Sequence, residues 1–295
     1  MAAGRILLKD ERDVAGIREA AAVVERALAA AAALIEPGVP TLRLDEAAEQ
    51  VIRDAGGRPA FKGYQMGGGT PPFPGSLCIS VNDVVVHGFP SAYELREGDV
   101  VSVDCGVELG GYFGDFAYTF PVGEIGDEAQ ALLDTTRESL DAGVEQAVDG
   151  KRIGDIGHAV QSLCEGRGYG VVRDLVGHGV GRRLHEPPNV PNVGRQGVGK
   201  KLRSGMTLCI EPMINGGTAE VTVDADGWTV RTADRRPSAH FEHMVLVRRG
   251  APEVLSSFGL IEAALAKSRG GTPAAGTEAA APPVPTSRPE VAAQR

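Results

Sequence analysis

The sequence has few of the features that mark membrane, nucleic-acid-binding or disulfide-stabilised proteins. Its 4 cysteines are far apart and form no CxxC pair, which excludes a zinc knuckle and a dithiol redox motif. The longest uncharged apolar run, residues 27–35, is too short to cross a bilayer. With 30 basic and 39 acidic residues, the chain also lacks the positive excess typical of nucleic-acid binding. We therefore expect a soluble, cytoplasmic protein with no membrane segment and no direct nucleic-acid partner.

The rest of the composition is that of a globular protein, with a marked change near the end. Hydrophobic residues make up 42% of the 295 residues, which is enough to bury a sizeable core. Residues 267–295 are rich in Pro and Ala, and they cannot bury enough apolar surface to offset the entropy of ordering. The sequence thus predicts one folded domain over residues 1–266 and a disordered Pro/Ala-rich tail over residues 267–295.

Helix and strand signals suggest that one pattern occurs twice. Four helices are predicted, over residues 9–35, 45–56, 127–147 and 153–165. A turn that contains Gly38 separates the first two helices, and a turn that contains Gly150 separates the last two. Four β-like runs follow the first pair, at residues 77–80, 84–86, 100–107 and 112–120. This order predicts an α/β (α+β) fold with two similar halves packed as one unit, although a chance likeness between the halves remains the alternative.

Two aspartates stand on what the sequence predicts to be one β-hairpin, over residues 100–115, with its turn at residues 109–111. If the register is symmetric about that turn, Asp104 and Asp115 lie roughly opposite each other, and directly opposed Cβ atoms are about 5 Å apart. Two carboxylates so close together in apolar surroundings require a proton or a cation between them. From these residues alone, the alternative that both aspartates are ordinary turn or edge residues remains open.

Three further residues stand in segments that favour a functional role. His178 lies with His185 in a Gly- and Pro-rich segment that leaves little room for apolar packing. Glu211 and Glu242 each lie in a β-like run, and glutamate is rarely buried without a partner. The two runs are predicted as strands over residues 206–213 and 238–247. With the two aspartates, the set of four carboxylates and one imidazole suits two divalent ions and predicts metal-assisted hydrolysis.

Taken in chain order, these motifs resemble the methionine aminopeptidases, in particular the bacterial type I enzymes of the pita-bread fold. The likeness runs from the first helix to about Leu255. The matching motifs are Cys78-Ile79-Ser80-Val81-Asn82, Val86-His87-Gly88, Asp104, Gly114-Asp115, Gly177-His178-Gly179-Val180-Gly181, His185-Glu186, Ile210-Glu211-Pro212-Met213, Asp226-Gly227-Trp228-Thr229-Val230 and Phe241-Glu242-His243. The resemblance implies two pseudo-symmetric halves whose antiparallel sheet encloses a two-metal site, with the helices outside.

The resemblance also implies a role for each member of the carboxylate set. Asp115 and Glu242 would bridge two divalent metal ions. Asp104 would complete the coordination of the first ion, and His178 and Glu211 would complete that of the second. The ions can be Co, Mn, Fe(II) or Zn, because all of these accept such ligands.

The same resemblance implies residues that act on the substrate. Glu211 would carry a proton from water to the leaving amine, and His87 and His185 would contact the scissile amide. A pocket for the methionine side chain would be lined by Tyr64, Phe73, Cys78, Met213 and Trp228. Because Trp228 follows the turn residues Asp226-Gly227, we do not expect it to be deeply buried.

The chain departs from the family pattern in four places near the expected site. Phe113, Leu184 and His240 stand where the family often has other residues, and we expect none of the three to touch a metal ligand. The connection at residues 65–72 is longer than the family's, so the sequence leaves open where the two pocket residues beside it lie.

The function implied is metal-dependent removal of the initiator methionine from nascent polypeptides whose second residue is small. The partners would be nascent N termini, met at the ribosome, and the absence of an apolar interface helix favours a monomer. One alternative is an Xaa-Pro-directed aminopeptidase or prolidase of the same fold, but the first helix starts near Lys9 and leaves no room for the extra N-terminal domain of those enzymes. Another is a non-catalytic pita-bread protein that only binds a partner.

Overall fold

The computed structural model describes residues 5–268, which form five helices and fifteen strands. The helices are α1 (Glu11–Ala32), α2 (Thr41–Asp54), α3 (Asp127–Val144), α4 (Ile153–Gly166) and α5 (Gly259–Ser268). The strands are β1 (Arg58–Pro59), β2 (Leu77–Val81), β3 (Val84–Val86), β4 (Val100–Leu109), β5 (Tyr112–Pro121), β6 (Gly170–Val171), β7 (Gly177–Gly179), β8 (Glu186–Val190), β9 (Thr207–Ile210), β10 (Met213–Asn215), β11 (Val221–Val223), β12 (Val230–Thr232), β13 (Ser238–His240), β14 (His243–Leu246) and β15 (Glu253–Val254). No helix within residues 5–268 is long and apolar enough to cross a membrane.

The four helices predicted from the sequence are all present, with small differences at their ends. α1 begins where the Asp10 carboxylate accepts the backbone N–H of Asp13 and Asp13 accepts that of Asp10, which forms a capping box. α2 begins at Thr41, before the predicted start near residue 45. Pro40 takes the N-cap position there, since the first helical turn needs no N–H from it.

The long hairpin of β4 and β5 forms as predicted, but its register differs from the prediction. Gly110 and Gly111 have φ values of 59° and 83°, so they make a two-residue turn instead of the expected turn at residues 109–111. Asp104 therefore pairs with Ala117, and Asp115 pairs with Gly106. The expected register is therefore wrong, and the two aspartates are not directly opposite each other. They are offset by two residues, and because side chains alternate along a strand they still share one face.

Two predicted strands are each broken by a glutamate. The run over residues 206–213 divides into β9 and β10 on either side of Glu211-Pro212, and the run over residues 238–247 divides into β13 and β14 around Glu242. β9 pairs with β14 in a five-stranded sheet, whereas β10 pairs with β13 in a separate three-stranded sheet. The backbone thus passes from one sheet to another at both breaks, which lie side by side because Ile210 pairs with His243 and Met213 pairs with His240.

Antiparallel sheets form the interior, and the helices pack against them. The five-stranded sheet has the order β15-β14-β9-β7-β8, and β4 lies between β5 and β2 in a four-stranded sheet. α1 packs on α2 and on the β4-β5 hairpin, and α3 packs on α4. The predicted order of a helix pair followed by antiparallel strands therefore occurs twice.

The C-terminal boundary of the folded domain extends slightly past its predicted position. α5 continues to Ser268, so the first two residues assigned to the tail are helical. Residues 269–295 of the predicted disordered tail lie outside the described residues.

Candidate active site

All twelve residues that the sequence analysis places in the site line a single cavity of about 850 Å³. The predicted ligands come from separate parts of the chain. Asp104 lies on β4, Asp115 on β5 and His178 on β7. Glu211 and Glu242 stand at the two adjacent points where the backbone changes sheets. The fold therefore brings together residues that are up to 138 positions apart in the sequence (242 − 104).

His178 lies between two of the carboxylates. Its Nε2 is 3.7 Å from Asp115 Oδ2 and 3.6 Å from Glu211 Oε1. Its other ring nitrogen, Nδ1, lies 2.9 Å from the backbone oxygen of Gly179, and a carbonyl can only accept a hydrogen bond. Nδ1 therefore carries the proton, and Nε2 is left with a free lone pair directed at the carboxylates, as a metal ligand requires.

Potential ligand atoms form two groups that share Glu242. Asp115, His178, Cys209 and Glu242 form one group, and Glu211, His240 and Glu242 form the other, with atoms within 4.8 Å of one another in each group. Asp104 belongs to neither group among the described residues, although it lines the same cavity. Its charge nevertheless acts on the neighbouring carboxylates, as their pKa values show.

Burial favours the protonated form of the carboxyl groups in the absence of a counter-charge. Burial raises the pKa of Asp104 to about 7. Burial, and then the charge of Asp104 or Asp115 nearby, raises the pKa values of Asp115, Glu211 and Glu242 well above the usual range. Since four carboxylates without a cation are costly to bury, this electrostatic environment favours bound metal ions.

The buried oxygen atoms also lack hydrogen-bond donors. Asp104 Oδ1, Asp115 Oδ1 and Glu242 Oε1 are buried and have no hydrogen-bond partner. Within residues 5–268, the only Lys or Arg that lines the cavity is the exposed Lys200. A donor set of oxygens with imidazole nitrogen fits a divalent cation, and a cation would satisfy the unpartnered oxygens.

An aromatic pocket lies beside this cluster. Phe73, Cys78 and Trp228 form an apolar cluster against which Tyr64 packs. Trp228 is only 4% exposed, so the expectation that it would not be deeply buried is wrong. Its indole N–H donates to the Pro71 carbonyl at 2.7 Å, which buries the ring against the long connection at residues 65–72.

The remaining predicted residues lie around this pocket. Tyr64 OH is 2.9 Å from His185 Nδ1, and the His87 ring packs edge-on against Trp228. Met213 lines the cavity but packs in a separate cluster with Val85 and other aliphatic residues. Both pocket residues beside the long connection, Tyr64 and Phe73, thus reach the cavity, which the sequence had left open.

The sequence profile of metallopeptidase family M24 matches residues 15–249. A methionine aminopeptidase of Clostridium perfringens is 47% identical over 251 residues, which cover 85% of this chain and 98% of that protein. The chain belongs to metallopeptidase family M24, on its methionine aminopeptidase branch.

Solved structures of similar proteins show the same architecture. The crystal structure of methionine aminopeptidase from Thermotoga maritima has a TM-score of 0.82 and 39% identity, and covers 86% of this chain and 100% of that chain. The predicted pita-bread fold is therefore confirmed. Prolidase from Pyrococcus furiosus, with a TM-score of 0.66 and 21% identity, covers 85% of this chain and 65% of its own. That likeness shows the fold alone.

Two residues of this M24 peptidase that were not expected in the site place potential ligand atoms in it. Cys209 reaches the first group from β9. His240 Nε2 lies 3.8 Å from Glu211 Oε2 and 4.0 Å from Glu242 Oε2, so the expectation that His240 touches no predicted ligand is wrong. The sequence signal was present, because His240 stands two residues before Glu242, but the sheet change that brings it beside Glu211 is not visible in a linear pattern.

Proposed function

We propose that the chain removes N-terminal methionine from polypeptides whose second residue is small, by metal-dependent hydrolysis. The observation that carries this proposal is the position of an aromatic and thiol-lined pocket beside a cluster of buried carboxylates in one cavity. Cys78 on β2 pairs directly with Asp104 on β4, so the pocket wall and the cluster share adjacent strands. A side chain held in the pocket places its own amide next to the carboxylates.

The proposed ligands of two divalent ions are the four carboxylates and His178. Asp115 and Glu242 would bridge the ions, Asp104 would complete the first site, and His178 and Glu211 the second. Co, Mn, Fe(II) and Zn all suit this donor set. When bound, such ions neutralise the carboxylates, polarise the scissile carbonyl and lower the pKa of a water molecule.

Glu211 is the proposed proton carrier. It accepts a proton from the attacking water and delivers it to the leaving amine, which requires a carboxylate held firmly at the reaction centre. Its position is supported by Asn192, a buried residue whose Nδ2 donates to the Glu211 backbone oxygen at 2.9 Å.

His87 and His185 are the proposed contacts of the scissile amide. Burial, with the nearby His185 as a further cause, lowers the pKa of His87 to about 4, so His87 is neutral at pH 7 and can donate a ring N–H to a developing oxyanion. Tyr64 OH lies 2.9 Å from His185 Nδ1, so that contact limits rotation of the His185 ring.

Phe73, Cys78 and Trp228 are the proposed walls of the methionine pocket, with Tyr64 and Met213 beside them. Aromatic rings attract a thioether sulfur, and an apolar wall disfavours charged side chains. The ring centroids of Phe73 and Trp228 are 5.2 Å apart, which leaves the pocket rigid on two sides.

The proposed substrates are the N termini of newly made polypeptides, since these begin with methionine. We place the encounter at the ribosome in the cytoplasm and propose that the chain acts as a monomer. The likeness to a methionine aminopeptidase over 98% of that relative's length supports N termini as the substrates.

The test compares two matched peptides. Chelator-treated protein is resupplied with Mn(II), Co(II) or Fe(II) in turn, and hydrolysis of Met-Ala-Ser and Ala-Pro-Ser is followed by mass spectrometry. Metal-dependent release of methionine from the first peptide alone is the expected result. Cleavage of Ala-Pro-Ser would assign the chain to proline-directed enzymes instead, and cleavage of neither would indicate a binding protein with an inactive site.

A further inference from the structure

The imidazole of His240 has a buried nitrogen that the proposed mechanism does not use. His240 is 2% exposed, and its Nε2 is the only histidine nitrogen among the buried, unpartnered side-chain atoms within residues 5–268. Two hydrogen bonds fix the backbone there, because the His240 N–H donates to Thr119 Oγ1 at 2.9 Å and the Thr119 hydroxyl donates to the His240 carbonyl at 2.7 Å. The backbone of residue 240 is thus fixed, and no hydrogen-bond partner occupies Nε2 of its ring.

The atoms that face this nitrogen are carboxylate oxygens. Nε2 is 3.8 Å from Glu211 Oε2 and 4.0 Å from Glu242 Oε2. Both distances are too long for hydrogen bonds. They do fit two ligands of one ion: with metal–ligand bonds of about 2.1 Å, donor atoms lie about 3.4 Å apart at a tetrahedral angle and about 4.2 Å apart on opposite sides of the ion.

The imidazole of His178 also faces carboxylate oxygens, on the other side of Glu211. Its Nε2 is 3.7 Å from Asp115 Oδ2 and 3.6 Å from Glu211 Oε1. Glu211 therefore directs one carboxylate oxygen toward His178 and the other toward His240. The carboxylate stands between two imidazoles, and only the first of these belongs to the proposed ligand set.

We propose that His240 is a sixth metal ligand, which binds through Nε2 the ion held by Glu211 and Glu242. This inference rests on the proposed two-ion site and adds a second imidazole to it. Because imidazole suits Co(II) and Zn(II) better than it suits Mn(II), His240 shifts the metal preference of this chain toward the nitrogen-binding ions.

The direct test counts imidazoles around the bound metal by X-ray absorption spectroscopy of protein loaded with two equivalents of Co(II). We expect the multiple-scattering signal to give two imidazoles per pair of ions in the wild type, one in His240→Gln, one in His178→Gln and none in the double variant. His158→Gln, which changes an exposed histidine on α4, is the matched control and should retain two. A count of one in the wild type, or the same count in the wild type and His240→Gln, overturns the proposal.

Metal titration gives a second readout. In His240→Gln, the affinity for one of the two Co(II) equivalents should fall about tenfold or more, and the affinity for Mn(II) should fall less. The two Thr119 bonds use the backbone of residue 240, so the variant keeps them, and thermal unfolding of the metal-free protein checks that it folds. Equal losses for both metals, or no loss for either, contradict the proposal.

The outcome for His240 is separable from the outcome for the proposed function. Two imidazoles in a protein that releases no methionine would support His240 as a ligand and reject the aminopeptidase proposal. One imidazole in a protein that releases methionine would reject His240 as a ligand and support the aminopeptidase proposal.

Discussion

At the scale of single residues, the site is defined by buried charge that has no protein counter-charge. Asp115 and Glu242 are 3% and 2% exposed, yet neither contacts a Lys or Arg within the described residues. Ionised groups are rarely buried in this way unless they are paired or bind a metal. These carboxyl groups therefore need bound cations in order to be ionised at neutral pH, and this requirement leads to two predictions about individual residues.

The first prediction concerns the proposed bridging carboxylates. Asp115→Asn and Glu242→Gln should each lose both metal ions and nearly all activity, because each side chain is proposed to serve both ions. Metal content is measured by atomic absorption after dialysis, alongside methionine release. A variant that retains two ions per chain would contradict the bridging assignment.

The second prediction concerns metal-free protein and pH. Burial raises the pKa of Asp104 to about 7 in the fold, against about 3.9 in an unfolded chain. Between these values the folded state holds a proton that the unfolded state has released, so this contribution to stability is lost as the pH rises from about 4 to about 7. We expect the melting temperature of chelator-treated protein to fall between about pH 5 and about pH 8, and Co(II) to reverse the fall at the higher pH. Equal melting temperatures at both pH values would contradict this account.

At the scale of elements, the N-terminal segment fixes the loop that carries His185. Lys9 Nζ lies 2.7 Å from Glu186 Oε2, and the two side chains are 2% and 4% exposed. The other Glu186 oxygen accepts the backbone N–H groups of Arg182 and Arg183. Lys9 thus closes a network that holds the loop immediately before His185.

The third prediction follows from this pair. Lys9→Met should lower the free energy of unfolding by about 3 kcal/mol, because it leaves the Glu186 carboxylate buried and unpaired. Arg58→Met is the matched control: it removes an ion pair with Glu108 in which Arg58 is 77% exposed, and it should change stability by less than about 1 kcal/mol. Urea unfolding measures both. Equal losses in the two variants would show that the burial of the Lys9 pair has no energetic consequence.

The helices and strands were more predictable from the sequence than the register in which the strands pair. The hairpin of β4 and β5 follows from alternating apolar residues and a Gly-Gly turn, but the register depends on whether Leu109 belongs to the turn or to the strand. The turn is one residue shorter than predicted, so Asp115 pairs with Gly106 and does not lie opposite Asp104. Continuous strands were predicted through Glu211 and Glu242, because the change of sheet at these points is set by tertiary pairing that no local pattern encodes.

At the scale of the whole molecule, strands from all four sheets contribute residues to one cavity. All twelve site residues indicated by the family resemblance reach this cavity. The depth of Trp228 and the approach of His240 were not predictable, because both depend on contacts between distant segments. Residues 65–72 bury Trp228. The sequence shows the length of this connection but does not show its path.

The fourth prediction concerns the C-terminal segment. Truncation after Ser268 should leave the melting temperature and the rate of methionine release nearly unchanged, because the composition beyond that residue offers little apolar surface to bury. Differential scanning calorimetry and peptide hydrolysis compare the truncated and complete chains. A large fall in melting temperature would show that residues 269–295 contribute to the folded structure.

We propose that this cavity releases N-terminal methionine only when its carboxylates hold metal. The most direct measurement titrates chelator-treated protein with Co(II) and follows free methionine from Met-Ala-Ser, with Glu211→Gln titrated in parallel. We expect no release without metal. In the wild type, release should rise with added Co(II) and reach a plateau, whereas the variant should release almost none at any metal concentration. Release by the metal-free protein, or equal release by Glu211→Gln, would contradict it.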